Sequence, residues 1–179
     1  MNSKLLLYLV RKEDYIMSLA IQKDTVATVH YHGTLTESQI VFDSSRGEEP
    51  LIFLVGHNQM IPGFEKGLLG KVAGDKVILN LSAEESYGEY SEEGVRHIPL
   101  SDLPEGIVVG DELVAETDEG YEIPLHITAI SEDQIATVDM NHELAGEALT
   151  FEVEVISVRA ATEEEKAHGH AHIPGVSHH

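Results

Sequence analysis

Alternation of apolar and polar residues marks most of the chain's regular structure. From Ala27 to Gly33 the run ATVHYHG puts Ala27, Val29 and Tyr31 on one face and Thr28, His30 and His32 on the other, as in a half-buried strand. IVFDSS predicts a short strand entering a turn, because Asp43 and the serines after it can bond nearby backbone N–H groups. LIFLVG predicts a third strand with Leu51, Phe53 and Val55 inward. KVAGDKVILNLS gives a turn at Ala73–Asp75 and a strand with Val77, Leu79 and Leu81 inward. LTFEVEVISV resumes the pattern, with Leu149, Phe151, Val153 and Val155 inward and Glu152 and Glu154 outward. These runs predict one antiparallel sheet with one face covered.

Two stretches depart from that pattern. NQMIPGFEKGLLG predicts a short helix from about Gly63 to Leu69, closed by Gly70. Its first turn carries Met60, Ile61 and Phe64, where a soluble protein usually places polar caps. Between the last two strands lies a long segment with its own turns. ELVAET and YEIPLHITAI flank Asp118–Gly120, and SEDQ leads into IATVD, as in a small meander with Pro124 on an edge strand. A structureless loop of that length is improbable, so residues 92–138 read as an inserted domain. Residues 17–91 and 139–162 then form a discontinuous main domain, and 163–179 an acidic, then His-rich tail.

Composition narrows the partners. The formal net charge of −21 opposes phosphate backbones and anionic membrane surfaces, so neither nucleic acid nor membrane is expected. No apolar run is long enough for a spanning helix. With no Cys, disulfides, thiol catalysis and thiolate metal sites are excluded, and a cytoplasmic monomer is expected. Residues 1–16 contain LLLYLV followed by the charged RKED, which is no cleavage region. They read as an unused upstream start or a floppy leader, with a buried N-terminal helix as the alternative.

Several motifs fail on inspection. GLLGKV ends in Gly-Lys, but a phosphate loop needs Gly at Glu65 and Ser or Thr at Val72. Asn80-Leu81-Ser82 matches a glycosylation acceptor inside a strand, as chance allows. The apolar set Tyr31, Phe42, Leu51, Phe53, Met60, Ile61, Phe64, Tyr87 and Phe151 has core packing as its plain explanation. The placement of Met60, Ile61 and Phe64 at a helix start argues for more.

VHYHGTL, VFDSS, LVGHNQMIPGFEKGLLGKVAGDK and ESYGEY, in this order and spacing, resemble the FKBP-type peptidyl-prolyl isomerases. The insertion after YGEY, NHELAGEALTFEVEV and TEEEKAHGHAH are similar to the SlyD branch of bacterial isomerase chaperones, so the resemblance runs from about Met17 to His172. It implies an α+β, mostly β fold: a curved antiparallel sheet around a short helix, with a small β-rich domain inserted in the flap. It also implies a proline pocket floored by the apolar helix start. On the family's pattern, the Ile61 N–H and the Tyr87 hydroxyl donate to substrate carbonyls, and Tyr31 orients Asp43. Phe42, Leu51, Phe53, Met60, Phe64 and Phe151 form the pocket. Asp43 either places a negative charge near the rotating amide or serves only an Asx turn. Phe64 stands where many eukaryotic relatives have Trp, and Leu51 replaces a frequent Phe, leaving a smaller aromatic floor.

The implied activity is X-Pro isomerisation in unfolded or partly folded polypeptides, with no cofactor required for catalysis. The alternatives are a non-catalytic holdase and a nickel- or zinc-binding metallochaperone serving metal-enzyme maturation factors. In the insertion, Ile98, Leu100, Leu103, Ile107, Val108 and Val109 cluster around two prolines. They read either as a mini-core or, on the resemblance, as a groove that catches unfolded chains. In the tail, His168, His170 and His172 alternate, which in an extended chain puts three imidazoles on one side as a ligand set for nickel, zinc or copper. The plain reading is a solvated tail or an expression remnant.

Overall fold

The computed structural model describes residues 18–172, so the expectation for residues 1–16 and the end of the His-rich tail lie outside the described residues. In chain order the elements are β1 (Thr25–Leu35), β2 (Val41–Ser44), β3 (Leu51–Leu54), α1 (Pro62–Leu68), β4 (Lys76–Leu81), β5 (Val95–Pro99), β6 (Glu112–Glu116), β7 (Glu122–Ile130), β8 (Ile135–Asp139), β9 (Leu149–Ala160) and α2 (Glu163–His168). The chain divides into two compact units. Of the described residues, one holds 18–34, Val41–Leu79 and 151–172; the other holds Leu35–Ile40 and Asn80–Thr150.

The larger sheet has the order β2-β1-β9-β4, and β3 also pairs with β1. The long β1 serves two antiparallel partners in succession: Val26–Val29 face Leu54–Leu51, and His32–Thr34 face Ser44–Val41 with a bulge after Gly33. Strand β9 keeps the expected alternation, with Leu149, Phe151, Val153 and Val155 buried. The expectation of one covered face fails at one end of this sheet. Thr25, Val26 and Ala27 are consecutive and all buried, as are Phe53, Leu54 and Val55, so that end is covered on both sides. Burial of each Val, Leu or Phe side chain there contributes about 1.5–3 kcal/mol.

Helix α1 begins one residue earlier than predicted, because Pro62 supplies a helical φ and needs no N–H partner in the first turn. Ile61 precedes it without any side-chain cap, and Gly63, Phe64 and Leu68 are buried. Gly67 lets Leu79 pack close to the helix: a Cβ there would lie 2.5 Å from Leu79 Cδ2 and would push that side chain aside.

The second unit carries an antiparallel four-stranded sheet, β5-β8-β7-β6. Its fully buried core is Ile127, Ala136 and Val138. Pro124 is not on an edge strand, since β7 is internal. Its pairing with β8 begins only at His126, so the stretch around Pro124 is paired to β6 alone and the missing N–H is tolerated. Strand β5, unforeseen from the sequence, pairs from Val95 to Pro99 with β8. Ser91 and Asn141 clasp the neck of this sheet: the Ser91 N–H donates to Asn141 Oδ1 and Asn141 Nδ2 donates to the Ser91 carbonyl, both at 2.9 Å.

Candidate active site

The first unit gathers aromatic rings around Phe64. Its ring centroid lies 5.1 Å from Phe151, 6.2 Å from Phe53 and 6.3 Å from Tyr31, all edge-to-face. Phe42 meets Phe151 edge-on at 5.5 Å. Such contacts add about 0.5–1.5 kcal/mol each beyond area burial and fix ring orientation. Phe53 and Phe64 are each only 1% exposed, so they are the base of the cluster. Tyr31, Phe42, Leu51, Met60 and Ile61 keep partial exposure and are the side chains an incoming ring could touch.

Gly33 was not singled out by pattern reading, yet it shapes this cluster. A Cβ at Gly33 would stand 2.6 Å from Phe42 Cζ and 3.0 Å from Phe151 Cε1, so a larger residue would displace the rings from their present contact over β1. A glycine inside a strand is the sequence signal for such a close approach.

Asp43 is held through both carboxylate oxygens. Tyr31 Oη donates to Oδ2 at 2.7 Å, and the Ser44 N–H donates to Oδ1 at 2.8 Å. The second bond is the local turn interaction expected of an aspartate; the first directs the carboxylate toward the aromatic cluster through Tyr31. Ser45 Oγ accepts from the Tyr31 N–H at 2.9 Å and lies 3.0 Å from His30 Nδ1, fixing the β1 backbone beneath Tyr31. The loop before α1 is tied down as well: the Leu54 N–H donates to Gln59 Oε1 at 2.6 Å and the Gly56 N–H to Glu65 Oε1 at 3.1 Å.

A groove of about 520 Å³ on this sheet is lined by His30, Lys76, Ile78, Glu152 and Glu154 and touches the cluster only at Tyr31. It carries charges of both signs, including the Arg46–Glu152 ion pair, and is not the aromatic cluster. Tyr87 belongs to the second unit, where its ring stacks on His142 with centroids 4.0 Å apart and planes 6° from parallel.

The apolar residues of the insertion divide into two groups. Ile98, Leu100, Leu103 and Ile107 pack against Ile127, Ala136 and Val138, so the mini-core reading describes them. Val108 and Val109 are each 57% exposed, joined by Val114, Tyr121 and Ile135, which the sequence reading did not group with them. A contiguous sequence cluster is thus part core and part surface: Ile98 on β5 and Leu100, Leu103 and Ile107 after it pack inward, while Val108 and Val109 are exposed.

The tail is not extended. Thr162 and Glu165 form a capping box that starts α2, and Gly169 ends it in the left-handed conformation, φ 74°. His168 is the last helical residue, and the reversal at Gly169 brings His170 and His172 beside it. The ring centroids are 5.6–5.7 Å apart, and one nitrogen from each lies within 4.8 Å of the others. Glu165, buried beneath, organises this turn. It takes two bonds from Arg159, at 2.6 and 2.8 Å, and accepts from the Thr162 and His172 N–H groups. The Arg159 guanidinium, helped by those backbone bonds, holds the Glu165 carboxyl far below the usual carboxylate range despite burial, and Glu165 in turn raises Arg159. The T-x-x-E spacing of Thr162–Glu165 is the signal that could have revealed a helix here. Three imidazoles with this spacing fit a borderline divalent ion.

The partly exposed Tyr31, Phe42, Leu51, Met60 and Ile61, backed by the buried Phe53 and Phe64, offer an apolar surface suited to binding a small ring. Residues 18–156 match the FKBP-type peptidyl-prolyl cis-trans isomerase family. The chain is 46% identical over 160 residues to the FKBP-type peptidyl-prolyl cis-trans isomerase SlyD of Vibrio cholerae serotype O1, covering 88% of this chain and 78% of that protein. It is 41% identical to the SlyD proteins of Pasteurella multocida, with the same coverage, and of Escherichia coli K12, covering 86% of this chain and 78% of that protein. The chain belongs to the FKBP-type peptidyl-prolyl cis-trans isomerases, and its activity is prolyl isomerisation. Among the described residues no helix is long and apolar enough to cross a membrane.

Proposed function

We propose that the aromatic cup around Phe64 receives the proline of unfolded or partly folded chains and speeds its rotation, while the inserted sheet captures those chains. The observation that supports the catalytic part most directly is Asp43, oriented by Tyr31 beside the edge-to-face cluster of Phe42, Phe64 and Phe151. Amide resonance sets a barrier of about 18–20 kcal/mol to X-Pro rotation, and the planar amide is more dipolar than the twisted one. A dry apolar cup therefore disfavours the planar ground state relative to the twisted transition state. The Ile61 N–H donates to a carbonyl of the bound chain, holding it in a turn that prepares rotation. Each tenfold acceleration needs about 1.4 kcal/mol from these contacts.

In the insertion, capture falls to the exposed Val108, Val109, Val114, Tyr121 and Ile135 rather than to the inner residues. A second reading concerns the tail, where His168, His170 and His172 hold nickel or zinc; an ion bound there supplies a store or delivery point for metal and no step of isomerisation. Imidazole must be neutral to coordinate, so this binding weakens in acid.

A protease-coupled assay on short X-Pro peptides tests the catalytic reading. Acceleration is expected from the intact chain, with a lower kcat in Asp43→Asn, which keeps the shape but loses the charge. Unchanged kcat in that variant would reduce Asp43 to its turn role, and no acceleration by the intact chain would remove the catalytic mechanism.

A further inference from the structure

The register of the inserted sheet places Glu112, His126 and Asp139 in one row across β6, β7 and β8: Glu112 faces His126, and His126 faces Asp139. This row lies on the face opposite the core, since the neighbouring pairs Leu113–Leu125 and Ile127–Val138 point inward. The central imidazole is three-quarters covered, with a side-chain exposure of 23%. A third carboxylate, Glu143, arrives from the segment after β8, and one ligand atom each from Glu112, His126 and Glu143 lie within 4.8 Å of one another.

We propose that Glu112, His126 and Glu143 form a divalent transition-metal site of the zinc class, separate from the tail histidines. His126 Nδ1 lies 3.7 Å from Glu112 Oε1. That is too long for a hydrogen bond, yet close to the roughly 3.4 Å between two ligands on a tetrahedral ion with bonds of about 2.0–2.1 Å. One imidazole with two carboxylates leaves the fourth position for water, and the imidazole favours zinc or nickel over calcium or magnesium.

The turn that carries Glu143 is held in advance. Asp139 Oδ1 accepts from the Asn141 N–H at 2.8 Å and from Asn141 Nδ2 at 2.7 Å, the Leu144 N–H donates to His142 Nδ1 at 3.0 Å, and His142 stacks on Tyr87. Asp139, the row neighbour of His126, is itself fixed, its Oδ2 accepting from the Tyr90 hydroxyl at 3.2 Å. Because the ligands come from β6, β7 and the segment leaving β8, a bound ion staples three stretches of chain near the Ser91–Asn141 neck. Metal occupancy then controls how freely the inserted sheet opens at its base.

Zinc titration by calorimetry, at physiological salt with excess calcium present to occupy nonspecific carboxylates, tests this on the full-length chain. The triple variant His168→Ala, His170→Ala, His172→Ala is expected to keep one zinc equivalent. Adding His126→Gln should abolish it, and adding Glu143→Gln or Glu112→Gln instead should weaken it at least tenfold; circular dichroism checks that each variant folds. Amide exchange of residues 140–147 should slow with zinc in the triple variant and not after His126→Gln. No zinc bound by the triple variant, or binding unchanged by His126→Gln, would overturn the site. Loss on His126→Gln with no effect of Glu143→Gln would remove Glu143 and with it the staple.

Discussion

The two antiparallel sheets of this chain use the same alternation for opposite ends. The five-stranded sheet is covered on both faces at one end and carries an edge-to-face aromatic cluster, so packing constrains the orientation of its rings. The four-stranded sheet has Ile127, Ala136 and Val138 as its fully buried core and leaves Val109, Val114 and Tyr121 well exposed. Catalysis by desolvation and orientation needs the first kind of surface, because misplaced groups forfeit the gain. Capture of varied unfolded chains needs the second, where exposed apolar area can meet many partners.

If rigidity at the aromatic cluster is the difference, the largest stability effect lies there. Phe64→Ala should cost about 3–5 kcal/mol in urea unfolding, as expected for a fully buried ring, and remove short-peptide turnover. Gly33→Ala comes next, at about 1–3 kcal/mol from overpacking against Phe42 and Phe151. It should lower kcat on short peptides while protein capture, followed by aggregation suppression, is retained.

Glu165→Gln should cost a similar amount, about 1.5–3 kcal/mol, through lost charge-assisted bonds to Arg159. Folding lowers the pKa of Glu165, so its stabilisation is complete above the ordinary value of 4.5 and drains away as pH falls below it. The acid limb of the stability curve should therefore be flatter in Glu165→Gln than in the parent. Nickel or zinc affinity at the tail should also fall, since an uncharged amide oxygen holds the His172 N–H less tightly than the carboxylate. The smallest stability effect is expected from Val109→Ser with Val114→Ser, within about 0.5 kcal/mol because both are exposed. Protein refolding should slow in that variant although short-peptide turnover does not.

The strands were legible because period-two alternation survives wherever one face is buried, as in β9. It fails where both faces are covered: Leu54 sits in sequence between Phe53 and Val55 and is as buried as they are. The aromatic cluster was legible from residue types and from the family resemblance, whereas Gly33 acts by what it lacks, and absence has no periodicity. In the insertion, hydrophobicity marked Ile98 and Val109 alike, and only the pairing of β5 with β8 separates the inward residue from the exposed one. The tail histidines were visible by spacing, but their convergence depends on a helix end and a left-handed glycine rather than on extension.

The separation of catalysis from capture is tested most directly by replacing residues 92–138 with a short Gly-containing loop. The clasp between Ser91 and Asn141 already holds the ends together, so closing the gap costs little. Two rates are then compared with the intact chain: turnover of a short X-Pro peptide, and refolding of a protein limited by X-Pro isomerisation. Peptide turnover should persist while refolding slows toward the uncatalysed rate, because the local concentration of captured chain is lost. Refolding catalysed as well as by the intact chain would contradict the assignment of capture to the inserted sheet.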